Sequence, residues 1–296
     1  MTERILDLSE EPARLKVRYG QLVIRRDGAP DATVPLVDLA VLIAANAQVS
    51  YTNAVLSGLA AAGGVFITCD EKHHPVGMLI PLVGHFVQTE RFARQADASL
   101  PTRKRLWQQI VRSKIRAQAR LLRKLYGKDY GVAALQHRVK SGDPQNAEAQ
   151  AARRYWPVLF ADKNFRRDFD AEDQNRYLNY GYAVLRAVVA RAVCAAGLHP
   201  SLGLHHHNRY NAFCLADDLL EPLRPIADEV AVQIADKHGS TAPLNRTVKG
   251  ELLEFIIRRY NFEGESRTLF DIVSRMTSSL AAVFNGERKD LVIPEI

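Results

Sequence analysis

The first quarter of the chain alternates apolar and polar residues, whereas the remainder carries apolar residues three and four positions apart. The alternation is clearest across 14–24, where it runs on both sides of Gly20 and predicts two half-buried strands joined by a tight turn. The apolar run Val65–Cys69 predicts a further strand. Ser50–Asn53 is a capping-type segment and predicts a short helix over Ala54–Ala62. The N-terminal part is therefore expected to be rich in strands.

From about Phe92 onward the spacing of apolar residues is typical of amphipathic helices. Leu106, Ile110, Ala117 and Leu121 follow this spacing in the first of them. Further helices are predicted around 145–160, 173–196, 212–238, 246–259 and 267–284. The fold class expected from this layout is α+β. A small N-terminal β domain is predicted over residues 1–88, a linker over 89–97, and a larger all-helical domain over 98–296.

Composition favours a folded protein with a polyanionic partner. The chain has 296 residues, of which 47% are hydrophobic and 25% charged, far from the composition of a disordered protein. Lys and Arg total 40 against 33 Asp and Glu, so the formal net charge is +7. A net positive charge of this size is compatible with binding to nucleic acid, but the distribution of the charges along the chain is more informative than their sum.

Cysteine usage and the terminus predict a cytoplasmic protein. Cys69, Cys194 and Cys214 are the three cysteines, and none forms a Cys-x-x-Cys pair, which argues against a disulfide framework and a cysteine zinc site. The N-terminus lacks the basic-then-apolar order of a signal peptide, and no apolar run approaches the ~20 residues of a membrane span. His73-His74 is expected to be a surface pair.

The strongest charge feature is the segment Ser99–Lys128, which contains ten Lys or Arg residues and no Asp or Glu. Uncompensated like charges repel one another unless phosphates neutralise them, so contact with a nucleic-acid backbone is favoured over a solvated helix face. The predicted DNA contacts are Arg112, Arg116, Arg120 and Arg123. The first three lie about one helical turn apart and share a face, which could also be one that packs against a partner protein.

Candidate chemistry is concentrated between residues 204 and 222. Three histidines at 205–207 are followed by Asp217, Asp218 and Glu221. On a helix Asp218 and Glu221 share a face, and an imidazole from the preceding loop could complete a site of nitrogen and oxygen ligands. Such ligands suit Mg²⁺ or Mn²⁺, and zinc stays possible. The alternative is that the histidines are loop residues and the acids a solvated helix start.

Several longer motifs carry a family resemblance. The most specific runs from Asn175 to Arg186 (NRYLNYGYAVLR) and continues through 196–203 (AGLHPSLG), and a later motif, 218–225, reads DLLEPLRP. Glu148 precedes the run 153–156 (RRYW). In these motifs the chain resembles the CRISPR-associated adaptation integrases, the larger of the two universal spacer-acquisition proteins. Details around 208–218 are similar to the type II-like branch that accompanies single-protein effector nucleases.

The resemblance implies a set of site residues. Glu148, His206 and Glu221 correspond to the family's metal ligands, with Asp218 close enough to assist in catalysis. The family's Gly-x-x-His element, counted from Gly203, selects His206. His205 and His207 stand on either side, and they rank second and third as the ligand.

The resemblance also implies an activity and its partners. The expected function is a metal-dependent DNA integrase and endonuclease that inserts prespacer DNA into a CRISPR repeat array by attack of a 3′-hydroxyl on a phosphodiester. The cofactor would be Mg²⁺ or Mn²⁺. The expected partners are double-stranded and branched DNA, a second copy of the chain in a homodimer formed by the N-terminal domain, and a small ferredoxin-like adaptation protein in a heterohexamer. The effector nuclease is a further candidate partner, and no membrane is expected.

Two other functions compete with this interpretation. One is a non-catalytic DNA-binding scaffold subunit, in which the basic helix binds phosphates and the cluster of histidines and acids is structural. The other is a zinc-dependent hydrolase of small substrates. A strand-transfer assay with Mg²⁺, Mn²⁺ or EDTA separates the integrase from both alternatives, because only the integrase forms a DNA product.

Overall fold

The N-terminal part forms two four-stranded sheets. The computed structural model describes residues 4–71 and 75–295, so the His73-His74 pair lies outside the described residues. The strands are β1 (Arg4–Leu8), β2 (Arg14–Arg18), β3 (Gln21–Arg25), β4 (Ala32–Pro35), β5 (Leu39–Ala44), β6 (Ser50–Tyr51), β7 (Val65–Cys69) and β8 (Pro75–Leu79). One sheet has the order β4-β3-β2-β6 and the other the order β1-β5-β7-β8. The predicted hairpin is confirmed, with Arg18 paired to Gln21 across the turn.

Strand β5 connects the two halves of the molecule. It runs parallel to both β1 and β7, and all six of its residues are buried. Leu42 and Ala44 belong to the core around the N-terminal sheets, whereas Val41 and Ile43 belong to the core shared with the helices. Because alternate residues of a strand point to opposite faces, this one strand contributes to both cores.

Ten helices are described, and most of them lie in the C-terminal part. They are α1 (Asn53–Ala61), α2 (Gln88–Ala96), α3 (Leu100–Tyr126), α4 (Ala147–Leu159), α5 (Asn175–Ala195), α6 (Cys214–Leu220), α7 (Arg224–His238), α8 (Arg246–Leu252), α9 (Glu254–Ile257) and α10 (Leu269–Phe284). The predicted order of a strand-rich region before a helical one is confirmed. Helix α2 occupies most of the segment predicted to be a linker.

The C-terminal part departs from the all-helical prediction at one place. Strands β9 (Arg259–Phe262) and β10 (Glu265–Thr268) form an antiparallel hairpin. Glu263 and Gly264 both have positive φ, the backbone conformation of a two-residue turn that matches the twist of paired strands. In place of the single helix predicted over 246–259 the structure has the two short helices α8 and α9, and after Ile257 the chain reverses as a hairpin.

Helix α3 is the longest helix and the one on which the candidate site is built. It begins at an N-cap, Ser99, whose side chain accepts a hydrogen bond from the backbone N–H of Thr102, and it ends at Gly127 with φ of 74°. One of its sides is buried against α4 and the segment Glu221–Leu223. None of the helices in the described ranges has the length and apolar character needed to cross a membrane.

Candidate active site

Lys114, in the middle of α3, lies between two glutamates that are far apart in the sequence. Its Nζ is 2.5 Å from Glu148 Oε1 and 2.5 Å from Glu221 Oε2. Glu148 is on the first turn of α4, and Glu221 directly follows α6. Lys114 and Glu221 are both buried. Two of the three residues predicted to bind metal therefore converge on one ammonium group.

Glu148 is positioned by the capped start of α4. The side chain of Asn146 accepts from the backbone N–H of Ala149 at 3.2 Å. The Asp143 carboxylate accepts from the backbone N–H groups of Ala147 at 2.9 Å and Glu148 at 3.0 Å. These bonds satisfy N–H groups that lack partners within the helix, and they fix where the Glu148 side chain leaves the backbone.

Glu221 is held by two cations. Its Oε1 accepts from Arg224 Nε at 3.0 Å, and its Oε2 faces Lys114. Burial raises the pKa of Glu221, but Arg224 and Lys114 outweigh burial and lower it to about 2. Burial likewise lowers the pKa of Lys114, but the carboxylates of Glu221 and Glu148 outweigh it, and that pKa is raised. Glu221, Arg224 and Lys114 are therefore all charged at neutral pH.

Arg224 is supported from behind by a buried aromatic cluster. Its guanidinium lies 4.5 Å from the centre of the Tyr182 ring. The Tyr182 hydroxyl donates to Asp228, which also accepts from Tyr155 at 2.7 Å. Burial raises the pKa of Asp228 to about 6, although both hydroxyls act in the opposite direction. This cluster keeps Arg224 directed at Glu221.

Asp218 organises the histidine loop. Its Oδ2 accepts from the backbone N–H groups of Leu204 at 2.6 Å and His205 at 3.0 Å. Its Oδ1 accepts from the backbone N–H of His206 at 3.3 Å and lies 2.6 Å from His206 Nδ1. Asp218 is completely buried, so its oxygens are committed to this loop. A proton on Nδ1 of His206 leaves Nε2 as the free nitrogen of the ring.

The three adjacent histidines have different surroundings. His206 alone bonds Asp218 through its ring, and that hydrogen bond raises its pKa despite partial burial. His205 stacks on Trp107, with ring centroids 4.3 Å apart and planes within 1° of parallel, and burial lowers its pKa. His207 is exposed beside the loop. Of the three, His206 has the ring geometry that a metal ligand requires, a held Nδ1 and a free Nε2.

The donor chemistry of the site suits a divalent cation, although Lys114 holds the central position. Among residues 4–71 and 75–295, no three His, Cys, Asp or Glu side chains are close enough together to share a metal ion. Glu148 and Glu221 converge on the Lys114 ammonium instead. Two carboxylates and an imidazole oriented by Asp218 are ligands that Mg²⁺ or Mn²⁺ accepts. In donor type these residues therefore fit such an ion, and the Lys114 ammonium would have to move aside for it.

The basic segment on α3 has acidic or carbonyl partners supplied from elsewhere in the chain. Arg112 donates to the Val139 carbonyl at 2.9 Å, and Arg123 pairs with Asp129. Arg116 and Arg120 face Glu295, at 3.3 and 3.7 Å. The structure thus separates these four arginines from the carboxylate site and gives each an intramolecular contact.

A cavity of about 410 Å³ opens beside His206. Its lining includes four arginines and four aromatic rings: Arg167, Arg176, Arg186, Arg224, Phe169, Tyr180, Tyr182 and Phe213. Arg186 pairs with Asp217, and Arg224 pairs with Glu221. The basic and aromatic lining has the chemistry that phosphates and bases require.

Sequence reasoning missed Lys114 as a site residue, because it counted this lysine only as one of ten basic residues. A signal was present, since Lys114 lies four positions after Ile110 and three before Ala117, within the apolar stripe of α3. Arg224 was part of the 218–225 motif but was given no role. Its spacing of three from Glu221 predicts a contact on one helical face.

Comparisons with known proteins agree with the motifs. A family model described as CRISPR associated protein Cas1 matches residues 6–243. The CRISPR-associated endonuclease Cas1 of Neisseria meningitidis serogroup C (strain 8013) is 38% identical over 300 residues, covering 100% of this chain and 97% of the relative.

Solved structures share the fold at low sequence identity. A casposase bound to integration product has a TM-score of 0.82 at 16% identity, covering 99% of this chain and 93% of that one. A Cas6-RT-Cas1–Cas2 complex has a TM-score of 0.78 at 17% identity, covering 100% of this chain and 36% of that one. The predicted family resemblance is confirmed. Since the family model matches residues 6–243, which include Glu148, His206 and Glu221, and the Neisseria relative aligns along the whole chain, this chain belongs to the Cas1 family of CRISPR-associated proteins.

Proposed function

We propose that this protein is a metal-dependent DNA integrase and endonuclease that inserts prespacer DNA into a CRISPR repeat array. One observation carries the proposal: the Glu148 and Glu221 carboxylates converge on Lys114, and Asp218, three residues before Glu221, holds His206 by Nδ1. The names of the Neisseria relative, an endonuclease, and of the casposase with its integration product support the same reaction class. The reaction would be attack of a 3′-hydroxyl on a phosphodiester.

Glu148, Glu221 and His206 would hold the metal, Mg²⁺ or Mn²⁺. When bound, the ion would polarise the scissile phosphate and favour the deprotonated 3′-hydroxyl. Asp218 is assigned a supporting part, because its oxygens already accept three backbone N–H groups and face His206 Nδ1. Its contribution is to direct Nε2 of His206 toward the site. Arg224 keeps Glu221 ionised and in place.

DNA would be held by basic side chains on two surfaces. Arg112, Arg116, Arg120 and Arg123 on α3 remain the predicted duplex contacts, and there phosphates would replace Glu295 as the partner of Arg116 and Arg120. The cavity beside His206 offers arginines and aromatic rings to an unpaired end of the incoming strand. Positioning two DNA molecules against one site is the main requirement of this chemistry.

The proposed assembly follows the family. The region 1–88 would mediate a homodimer, and residues 98–296 would form the catalytic and DNA-binding region beyond the 89–97 segment. A small ferredoxin-like partner would join two dimers in a heterohexamer, and the likeness to a Cas6-RT-Cas1–Cas2 complex supports a partner of this kind. The effector nuclease stays a candidate partner. Light scattering of the chain alone and with the small partner measures both steps.

The test is strand transfer on a short branched or repeat-containing duplex in Mg²⁺, Mn²⁺ or EDTA. The proposal expects a joined product with either metal and none with EDTA. The scaffold alternative expects no product under any condition. A Glu148→Ala variant with unchanged duplex affinity is the matched control, because it removes one proposed ligand and leaves the α3 arginines in place.

A further inference from the structure

Lys114 is the charged residue that joins the two glutamates of the site. It projects from the buried side of α3, next to apolar neighbours such as Ile110 and Ile115. Its ammonium contacts Glu148 and Glu221 at equal distances of 2.5 Å. In the described part of the chain, Lys114 is the ion-pair partner of Glu148, whereas Glu221 has Arg224 as well. Without Lys114, Glu148 would have no ion-pair partner among the described residues, and none of them would draw it toward Glu221.

Stability alone is a weak reason to keep this arrangement. Desolvating three charged groups offsets most of their mutual attraction, and apolar replacements of whole buried ion pairs are often neutral or stabilising. Removing one partner is different, because the remaining charges are then buried without compensation. A lysine placed between two carboxylates therefore indicates that the carboxylates themselves are needed at this place, and that something must balance them.

We propose that Lys114 is an internal counter-ion that holds Glu148 and Glu221 together in the metal-free protein and gives way when a divalent cation binds. The proposal rests on the metal site proposed above. The flexible four-carbon stem of lysine allows the ammonium to leave without movement of α3. Lys114 is a positioning residue in this scheme, since it acts through the two carboxylates. It also competes with the metal, so the ion has to displace two ion pairs before it binds.

Lys114→Met tests both parts by thermal unfolding and by Mn²⁺ titration. In EDTA the variant should unfold at a temperature lower by roughly 5–10 °C, because two carboxylates lose a buried cation. Mn²⁺ should bind the variant more tightly than wild type, by about tenfold or more, because no ammonium competes. Saturating Mn²⁺ should therefore raise the unfolding temperature of the variant more than that of wild type. Mn²⁺ affinity that is equal to wild type or weaker would overturn the proposal.

Lys249→Met is the matched control, since Lys249 is also a buried lysine but lies over the Tyr180 ring, with no carboxylate partner among the described residues. Its Mn²⁺ affinity should equal that of wild type. If Lys114→Met does not fold in EDTA, the double variant Lys114→Met/Glu148→Gln keeps the test possible. Removing one carboxylate should restore metal-free stability and abolish the gain in Mn²⁺ affinity, and a double variant as unstable as the single one would also overturn the proposal.

The outcomes separate this inference from the proposed reaction. Failure of strand transfer by wild type, combined with tighter Mn²⁺ binding by Lys114→Met, would remove the integrase function and leave the counter-ion role standing. Strand transfer by wild type, combined with unchanged Mn²⁺ binding by Lys114→Met, would remove the counter-ion role and leave the integrase function standing.

Discussion

Helix α3 carries basic side chains in two contrasting environments. Lys114 has a side chain that is 11% exposed and contacts two carboxylates at 2.5 Å. Arg116 and Arg120 are 38% and 43% exposed and share Glu295 at 3.3 and 3.7 Å. All three residues belong to the segment Ser99–Lys128, which contains no Asp or Glu.

The contrast shows that burial, and not local charge density, decides what a basic residue contributes. Breaking a buried pair by removing one partner costs about 3–5 kcal/mol. An exposed pair contributes about 0–1 kcal/mol and is screened by salt. Arg116 and Arg120 can therefore exchange Glu295 for phosphates at little cost, whereas the contacts of Lys114 are part of the site itself.

The largest effect is expected at the candidate metal site. Glu148→Ala, His206→Ala and Glu221→Ala should each reduce strand transfer to background while duplex affinity stays close to wild type, because each removes a proposed metal ligand. Product formation on a branched duplex and binding in EDTA measure the two properties. A folded Glu148→Ala variant that integrates DNA at the wild-type rate would show that the site is assigned wrongly.

Asp218→Ala should have the second-largest effect. It should lower the free energy of unfolding by about 3–5 kcal/mol and should also reduce strand transfer. Three backbone N–H groups and His206 Nδ1 lose their acceptor at once. Chemical denaturation measures the first effect. Glu295→Gln is the exposed counterpart and should change stability by less than about 1 kcal/mol. Equal losses in the two variants would contradict the contrast between the buried and exposed groups.

The arginines Arg112, Arg116 and Arg120 on α3 should act on duplex affinity and its salt dependence. Replacing Arg112, Arg116 and Arg120 by Gln should flatten the slope of log K against log salt by about two to three, since each phosphate contact contributes roughly 0.9 for duplex DNA. Sequence preference should barely change. Duplex affinity at several salt concentrations measures the slope. An unchanged slope in a folded variant would show that these arginines do not contact phosphates and that this side of α3 is an ordinary solvated surface.

Glu295→Gln should change duplex affinity in the opposite direction to the arginine replacements. It removes the carboxylate that faces Arg116 and Arg120, so duplex affinity should rise by a few-fold at low salt. Glu287→Gln, at another exposed acid near the C-terminus, is the matched control and should have no such effect. Weaker binding by Glu295→Gln would mean that the tail positions these arginines for DNA.

The smallest effects are expected at the histidines beside His206. His207→Ala should be mild, because His207 is exposed. His205→Ala should lower stability by about 0.5–1.5 kcal/mol through loss of the stack on Trp107 and should retain strand transfer. Rates under saturating Mn²⁺ decide the outcome. An inactive His205→Ala beside an active His206→Ala would move the ligand by one position and leave the metal hypothesis intact.

Much of the fold followed from periodicity. The 14–24 hairpin and the helices near 147–159, 175–195 and 269–284 lie close to their predicted positions. Periodicity failed at the hairpin over 259–268, because four-residue strands are too short for their spacing to be distinguished from the end of a helix. There the Glu263-Gly264 turn decides the conformation.

The sequence by itself determined the order of strands and helices, the family, and the residue types of the candidate site. These depend on local spacing and on motifs that can be read along the chain. Only the tertiary structure decided which charges face each other. Ion pairing depends on distance in space, so Lys114 could be matched with Glu148 and Glu221, and Arg116 with Glu295, only once α3, α4, the segment after α6 and the C-terminal tail were placed together. Because Lys114 is buried, its contacts with Glu148 and Glu221 are part of the site. Because Arg116 is exposed, its contact with Glu295 can be exchanged for a phosphate.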